Sequence, residues 1–323
     1  MKKCCFIIPY FGKLPNYFEV FAKSCEKNRD YQWLIFTDDK HEYRVPQNVV
    51  LKSMSFNDFL NIVESKFDFK VEIQDYHKIC DLKPAFGYIF ESYLEEFEFW
   101  GYCDLDTIFG DLNGFITNDI LKKYDKLFCL GHCVMFKNNY ENNRMFMKSV
   151  NGRFWYRESF STPRTTIFDE TYGGIHNINT LFKYYGKQVL EKDWAFNCNI
   201  APANLQRVYY LPEENTFKVE RHYNSIFVWD DGKIFRYRLK GGSIYRDEYM
   251  YMHFQKREMK VDDRVLDSST IKILGNGFYP LNQKEITVQN FKQIPHKVYS
   301  FRKIKFLLKW KTDGLKRKLG ITL

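Results

Sequence analysis

The run Phe97–Leu112, FEFWGYCDLDTIFGDL, constrains the fold of this chain more than any other stretch. Phe97, Phe99, Trp100, Tyr102 and Cys103 crowd its first seven positions. A segment apolar on both faces reads as a strand buried in a layered α/β sheet. It ends on two acids, Asp104 and Asp106. In extended chain, residues i and i+2 project to the same side, so these acids point together while Leu105 turns back to the core. Two like charges so close are costly unless a cation lies between them. A hard divalent ion, Mg²⁺ or Mn²⁺, fits oxygen ligands and keeps positions open for substrate phosphates. The spacing alone would equally describe two solvated aspartates on a turn. The apolar context tips the balance, because strand ends are where open α/β sheets bind ligands.

Elements on either side agree with that class. Lys3–Pro9 (KCCFIIP) predicts a buried first strand, and Tyr17–Lys27 a helix with Phe18, Phe21, Ala22 and Cys25 on one face. Tyr31–Thr37 (YQWLIFT) predicts a second strand ending in Asp38-Asp39, and Val49–Lys52 a third. Strand, helix, strand in that order predicts a parallel, Rossmann-like sheet. In such a unit the turn at Tyr10, Phe11 and Gly12 lets backbone approach a nucleotide, and Asp38 meets its base or ribose. A plain loop carboxylate is the alternative for Asp38. A helix is expected over Phe56–Phe67. Another, capped by Asp81 with Pro84 in its first turn, carries an apolar stripe from Ala85 to Phe97. Lys78, Asp81 and Lys83 lie at its positive end, placed either to contact a donor's phosphate or sugar hydroxyls, or as a plain cap beside two solvated lysines.

Further along, Leu127–Phe136 reads as one apolar strand, with His132 a core histidine. Asp169 and Glu170 precede a glycine pair and a helix expected over Ile175–Tyr185. They could supply a general base or bind an acceptor hydroxyl, or merely favour the helix N-terminus. Ile226–Arg238 predicts a hairpin turning at Asp231-Gly232. Glu248–His253 predicts a strand closing on His253, with Lys256 and Arg257 beyond it. That histidine is a third metal ligand with diphosphate-neutralising cations, or a surface histidine beside solvated ones; imidazole suits Mn²⁺ better than Mg²⁺. Trp155, Tyr172 and Trp229 read first as core, with stacking on sugar faces as the alternative. Residues 261–295 look irregular.

The 323 residues carry eight cysteines with no C-x-x-C pair, which argues against zinc and for buried thiols in a reducing compartment. No secretory signal is expected, since the apolar run after Lys2-Lys3 stops at Pro9, and no stretch approaches the ~18 apolar residues of a membrane span. Net charge is +9, and nine Lys/Arg against Asp313 put +8 of it from His296 onward. Phe301, Ile304, Leu307 and Leu308 share one side of a helix drawn through this tail; Arg302, Lys305 and Lys309 fall on another. A basic amphipathic segment of this kind suits an anionic membrane surface, or else packs on the domain with its basic face in solvent. No nucleic-acid module accompanies the charge.

The order IPYFG, IFTDD, DLKPAFGYIF, FWGYCDLD, a downstream acidic pair and a late MHFQKR resembles the GT-A nucleotide-sugar glycosyltransferases. The block KICDLKPAFG…WGYCDLDTIFGDL is similar to bacterial capsule and O-antigen polysaccharide-locus members. The resemblance spans residues 1–260 and is most specific over 76–112. It implies a GT-A catalytic domain over 1–260, a Rossmann-like, mostly parallel sheet flanked by helices. Residues 261–323 would then be an extension with the basic amphipathic tail 296–323. It implies a metal held by Asp104, Asp106 and His253 that grips a donor diphosphate, UDP-sugar for preference, with Lys256 or Arg257 assisting. Nucleotide contacts are implied at Pro9, Tyr10, Phe11, Gly12 and Asp38, and an acceptor-side acid at Asp169 or Glu170. The acceptor would be a glycan, lipid-linked by preference, reached at the cytoplasmic membrane face. A nucleotidyl- or phosphoryl-transfer enzyme using the same acids, and a non-catalytic membrane- or polyanion-binding protein, are the competing readings. IPYFGKLP is not the glycine-rich phosphate loop the former would carry.

Overall fold

The computed structural model describes residues 2–172, 174–221, 223–255, 257–299, 308 and 312. Lys256, Gly173 and the helix drawn through 301–312, save Leu308 and Thr312, therefore lie outside the described residues. The described residues are mixed α/β with three sheets. It divides into two units, Met1–Thr107 with Asp111–Asp193, and Ile108–Gly110 with Trp194–Leu323.

In the first unit, β1 (Lys2–Pro9) leads through helix α1 (Phe18–Glu26) to β2 (Tyr31–Thr37). Next come β3 (Val49–Ser53), helix α2 (Phe56–Lys66) and β4 (Phe97–Cys103). After β5 (Thr107–Phe109) come β6 (Lys126–Leu127), β7 (Cys133–Lys137) and β8 (Val189–Leu190). The seven-stranded sheet runs β3-β2-β1-β4-β7-β6-β8. Its β3-β2-β1-β4 half is parallel throughout, as the opening pattern predicts. Cys4, Cys5, Phe6 and Ile7 of β1 are fully buried, and apolar side chains of this size contribute roughly 1.5–3 kcal/mol each on leaving water. Chain order runs outward from β1 through β2 to β3, then returns to β4 on the other side of β1. In open α/β sheets such a reversal is where ligands bind, at the carboxyl ends of the strands, here β1 and β4.

The helix expected after Asp81 is broken into short turns: a 3₁₀ turn Tyr76–Lys78, then Ile79–Leu82, Lys83–Ala85, Phe86–Ile89 and Glu91–Tyr93. Pro84 has no N–H for the α-helical ladder, which interrupts the run. Asp81 is not a cap; Asp75 takes that role, accepting from the N–H groups of His77 and Lys78. The break also lets backbone approach the sheet. A Cβ on Gly87 would sit 2.1 Å from the Trp100 ring, which stacks on Phe136 at 4.4 Å and donates to Asn143 Oδ1 at 2.8 Å. The glycine of PAFG thus makes room for the tryptophan of FWG.

The expected single strand over Leu127–Phe136 is two antiparallel strands, β6 and β7. Phe128, with φ of +68°, turns the chain out of β6, and Gly131 lies in the connecting loop. The helix expected from Ile175 starts at Ile178, where Asn177 caps it. Asp169 and Glu170 consequently lie well before its N-terminus.

In the second unit, β9 (Ala195–Cys198), β10 (Arg207–Leu211) and β11 (Thr216–Val219) join β15 (Tyr251–His253) and β5 in a five-stranded sheet ordered β11-β10-β9-β15-β5. β12 (Ser225–Asp230) and β13 (Lys233–Lys240) form the expected hairpin, and Asp231 and Gly232 both take positive φ. A two-residue turn of that kind matches the right-handed strand twist. β14 (Ser243–Tyr249) pairs with β13, and the chain leaves it at Met250 to form β15 (Tyr251–His253). The single strand expected over Glu248–His253 is therefore split between two sheets. Residues 261–295 are irregular only in part: β16 (Lys260–Val261), β17 (Thr270–Leu274) and β18 (Gly277–Pro280) complete a six-stranded sheet, and 281–299 follow without strand or helix. Thr-Ile-Lys-Ile-Leu alternates buried isoleucines with part-exposed neighbours, the period of a half-buried strand.

Among the described residues no helix is long and apolar enough to cross a membrane. All eight cysteines are free, and only Cys80 is less than fully buried.

Candidate active site

The loop after β1 is fixed by the acids after β2. Tyr10 N–H donates to Phe36 O at 2.8 Å, Gly12 N–H to Asp38 Oδ1 at 2.7 Å, and Leu14 N–H to Asp39 Oδ2 at 2.9 Å. Gly12 has φ of +85°, a conformation costly for any side chain. N–H donors from Leu14 and His41 and the Tyr43 hydroxyl hold the Asp39 carboxyl down at about 2. Sequence reading passed over Asp39, which ties the loop alongside Asp38.

Asp104 and Asp106 follow β4 at the same carboxyl edge of the sheet. Asp104 N–H donates to His132 O at 3.1 Å, and Thr107 Oγ1 donates to Asp104 O at 2.8 Å, which fixes the turn between the two acids. Burial first, then the charge of Asp106, raises the Tyr10 hydroxyl above its ordinary value.

Behind Asp104 stands a buried ammonium. Lys83 Nζ donates to Asp104 Oδ1 at 2.8 Å and to Gly131 O at 2.9 Å, and lies 3.6 Å from Asp169 Oδ2. Burial works against its charge, but the surrounding acids, Asp104 foremost, outweigh it and keep the ammonium protonated. Asp169 is itself only 4% exposed. Burial, with Glu170 and Asp104 adding to it and Lys83 opposing, pushes its carboxyl up to about 8. Tyr102 Oη donates to Asp169 O at 2.8 Å, and Gly131 N–H donates to Glu170 Oε2 at 2.8 Å. A Cβ on Gly131 would stand 2.6 Å from Asp169 Oδ2. Sequence reading missed Gly131 and Tyr102, since neither belongs to a recognisable spacing.

Lys78 and Asp81 are placed together and away from solvent, 1% and 0% exposed. Lys78 Nζ donates to Asp81 Oδ2 at 2.7 Å, Ser159 O at 2.6 Å and Arg164 O at 2.8 Å. All three ammonium protons are thus taken up within the fold.

In the second unit, His253 ends β15 and is 9% exposed. Its Nδ1 lies 2.9 Å from Asn197 Oδ1, which also accepts from Gln255 Nε2 at 2.9 Å. With a carbonyl oxygen facing it, Nδ1 carries the ring proton and the lone pair sits on Nε2, the tautomer that ligates metals through Nε2. Asn197, which sequence reading did not single out, therefore sets the ring's orientation. Arg257 is 2% exposed and donates to the backbone carbonyls of Asn199, Pro202, Ala203 and Gly275.

Asp104 and Asp106 each offer a carboxylate oxygen and His253 a ring nitrogen, and these ligand atoms lie within 4.8 Å of one another. Asp106 leads at once into β5, which neighbours β15 in the five-stranded sheet, and Gly110 N–H donates to Met250 O at 2.8 Å. Two carboxylates and one imidazole form a possible metal-binding group; that donor set fits Mn²⁺ or Mg²⁺ and is too hard for a thiophilic ion.

The family of unknown function designated DUF6625 matches residues 6–282. No curated protein matches the chain in sequence. Among solved structures, it is similar to a glycosyltransferase involved in the glycosylation of the major capsid of PBCV-1. The identity is 9% and the TM-score 0.33, over 61% of this chain and 84% of that one.

Proposed function

We propose that this chain, which belongs to the family of unknown function DUF6625, is a metal-dependent glycosyltransferase that moves a sugar from a nucleoside-diphosphate sugar to a hydroxyl acceptor. The observation that carries the reading is the convergence of Asp104, Asp106 and His253 within 4.8 Å, beside a strand-order reversal in a parallel sheet. A Rossmann-like, mostly parallel sheet flanked by helices is what the GT-A reading expects, and the DLKPAFG…CDLD resemblance supports the same class.

In this mechanism Asp104, Asp106 and His253 hold Mn²⁺ or Mg²⁺. When bound, the ion supplies Lewis-acid neutralisation of the diphosphate leaving group. Lys83 holds the Asp104 carboxylate in place through its 2.8 Å hydrogen bond. The Pro9–Gly12 backbone and Asp38 flank the nucleotide at the carboxyl end of β1. The acceptor oxygen forms its bond to the anomeric carbon as the bond from that carbon to the diphosphate oxygen breaks. The electron pair leaves with the nucleoside diphosphate, and the acceptor proton passes to Asp169 or Glu170. Burial, which raises the Asp169 carboxyl, makes its ionised form the stronger proton acceptor. Lys78 and Asp81 act as internal ties in this account, not as ligands.

The finer reading places the enzyme in bacterial surface polysaccharide assembly. A UDP-sugar donor and a lipid-linked glycan acceptor would meet at the inner face of the membrane, with the basic tail 296–323 resting on anionic lipid. A panel of UDP- and GDP-sugars, assayed for hydrolysis or transfer with Mn²⁺ and with chelator, tests the core of the reading. Nucleotide release that requires both a nucleotide sugar and the metal supports it; a panel inert under every metal condition contradicts it.

A further inference from the structure

Within the first unit, a pocket of about 350 Å³ is lined by Trp155, Glu158, Ser159, Thr166, Ile167, Gly174, Ile175 and His176. We propose that it is a pyranose-binding subsite for the acceptor, an inference that rests on the transferase reading above.

The wall is rigid for a stated reason. Asp81 Oδ2 accepts Thr166 N–H at 2.8 Å and Asp81 Oδ1 accepts Phe168 N–H at 3.1 Å, on either side of Ile167. Ile167 is held at φ of +59°, a region a β-branched residue avoids unless its surroundings impose it. Lys78, bonded to the same Asp81, pins Ser159 O and Arg164 O. A fully buried ion pair, costly to desolvate, thus fixes both the helix Trp155–Phe160 and the 164–168 segment that face the pocket. Residue 168 then runs directly into Asp169 and Glu170.

The lining suits a sugar. The Trp155 and His176 rings lie 4.8 Å apart at 34°, and Ile175 stands 67% exposed at the rim. Trp155 is itself only 6% exposed and backs His176, so the exposed His176 and Ile175 form the apolar rim offered to the C–H face of a pyranose. The same lining holds Glu158, gripped by Arg153 through bonds of 3.0 and 2.7 Å, and the Thr166 hydroxyl, which meets Ser159 Oγ; both offer partners for sugar hydroxyls. An anionic ligand would meet the Glu158 carboxylate, and a wholly apolar one would strip water from it without replacement. The volume lies within the usual range for a small-ligand site.

Saturation-transfer NMR on the full chain, with methyl pyranosides and their disaccharides as probes and no donor present, tests the assignment. At least one probe should receive saturation, and Trp155→Ala and Ile175→Glu should each weaken its binding about tenfold or more. Ile175 is exposed enough that its variant tests the site even if Trp155→Ala unfolds. Absence of pyranoside binding, or binding indifferent to Ile175→Glu, overturns the subsite. Wild-type donor hydrolysis in the same preparation separates the two proposals. Hydrolysis without pyranoside binding removes the subsite alone, whereas pyranoside binding without hydrolysis upholds a sugar site and removes the transfer reading.

Discussion

Lys83 Nζ and Asp104 Oδ1 stand 2.8 Å apart, joining the broken helix of the DLKPAFG block to the acid at the end of β4. The ammonium also faces Asp169 at 3.6 Å, so one buried cation holds two carboxylates at a site that needs both aimed. Removing it leaves the Asp104 and Asp169 carboxyl groups in a poorly solvated place without their shared counter-ion. Lys83→Met should lower unfolding free energy by about 3 kcal/mol, the cost of orphaning a buried charge, and should abolish donor turnover. Denaturant melts with an unchanged midpoint would refute the role.

Asn197 acts on the site only through His253. Loss of the carbonyl facing Nδ1 frees the ring to rotate and to change tautomer, and outer-shell partners of this kind typically contribute 10–100-fold to metal affinity. Asn197→Ala is therefore expected to raise the Mn²⁺ dissociation constant about 10-fold or more, measured by calorimetry or by the Mn²⁺ paramagnetic signal. A variant that binds Mn²⁺ as tightly as the parent would show that His253 is oriented by other means.

Lys126 lies fully buried in β6, donating to Phe128 O with its ammonium over the Phe136 ring. Burial pulls it from an ordinary value of 10.5 to about 7. Between those values the unfolded chain binds the extra proton, so this residue makes stability rise with pH from about 7 to 10.5; below 7 both states are charged and the penalty is complete. Lys126→Met should stabilise the protein at neutral pH, by on the order of 4 kcal/mol at most, and the difference from the parent should shrink as pH climbs towards 10. A difference that stays flat across that range would contradict the shift.

Gly87 faces the Trp100 ring with no space for a methyl group. Gly87→Ala should cost about 1–3 kcal/mol through overpacking, seen as a lower midpoint in chemical denaturation. A neutral result would mean the helix Phe86–Ile89 slides easily on the sheet.

Much of this arrangement could be read from residues alone. Trp33 to Phe36 and Phe99 to Cys103 are apolar on both faces, which admits only covered strands, and Asp104 and Asp106 sit where such a strand must end. The local signals failed where distant chain decides. Ala85 to Phe97 carries helical spacing, yet Pro84 and the close approach of Gly87 to Trp100 break it into turns. Asp81 looks like a cap because a short acid precedes a proline. Its partners, Thr166 and Phe168, lie more than eighty residues away and no spacing could reveal them. Gly131, Tyr102 and Asn197 belong to the site through backbone groups and a single amide, contacts that leave no pattern in sequence.

The central claim is that the paired acids after β4 hold the ion on which nucleotide departure depends. Mn²⁺-dependent hydrolysis of a nucleotide sugar by Asp104→Ala and Asp106→Ala, each checked for native circular dichroism, tests it most directly. The account predicts that both folded variants lose about 100-fold or more of parental turnover; turnover equal to the parent in either would contradict it.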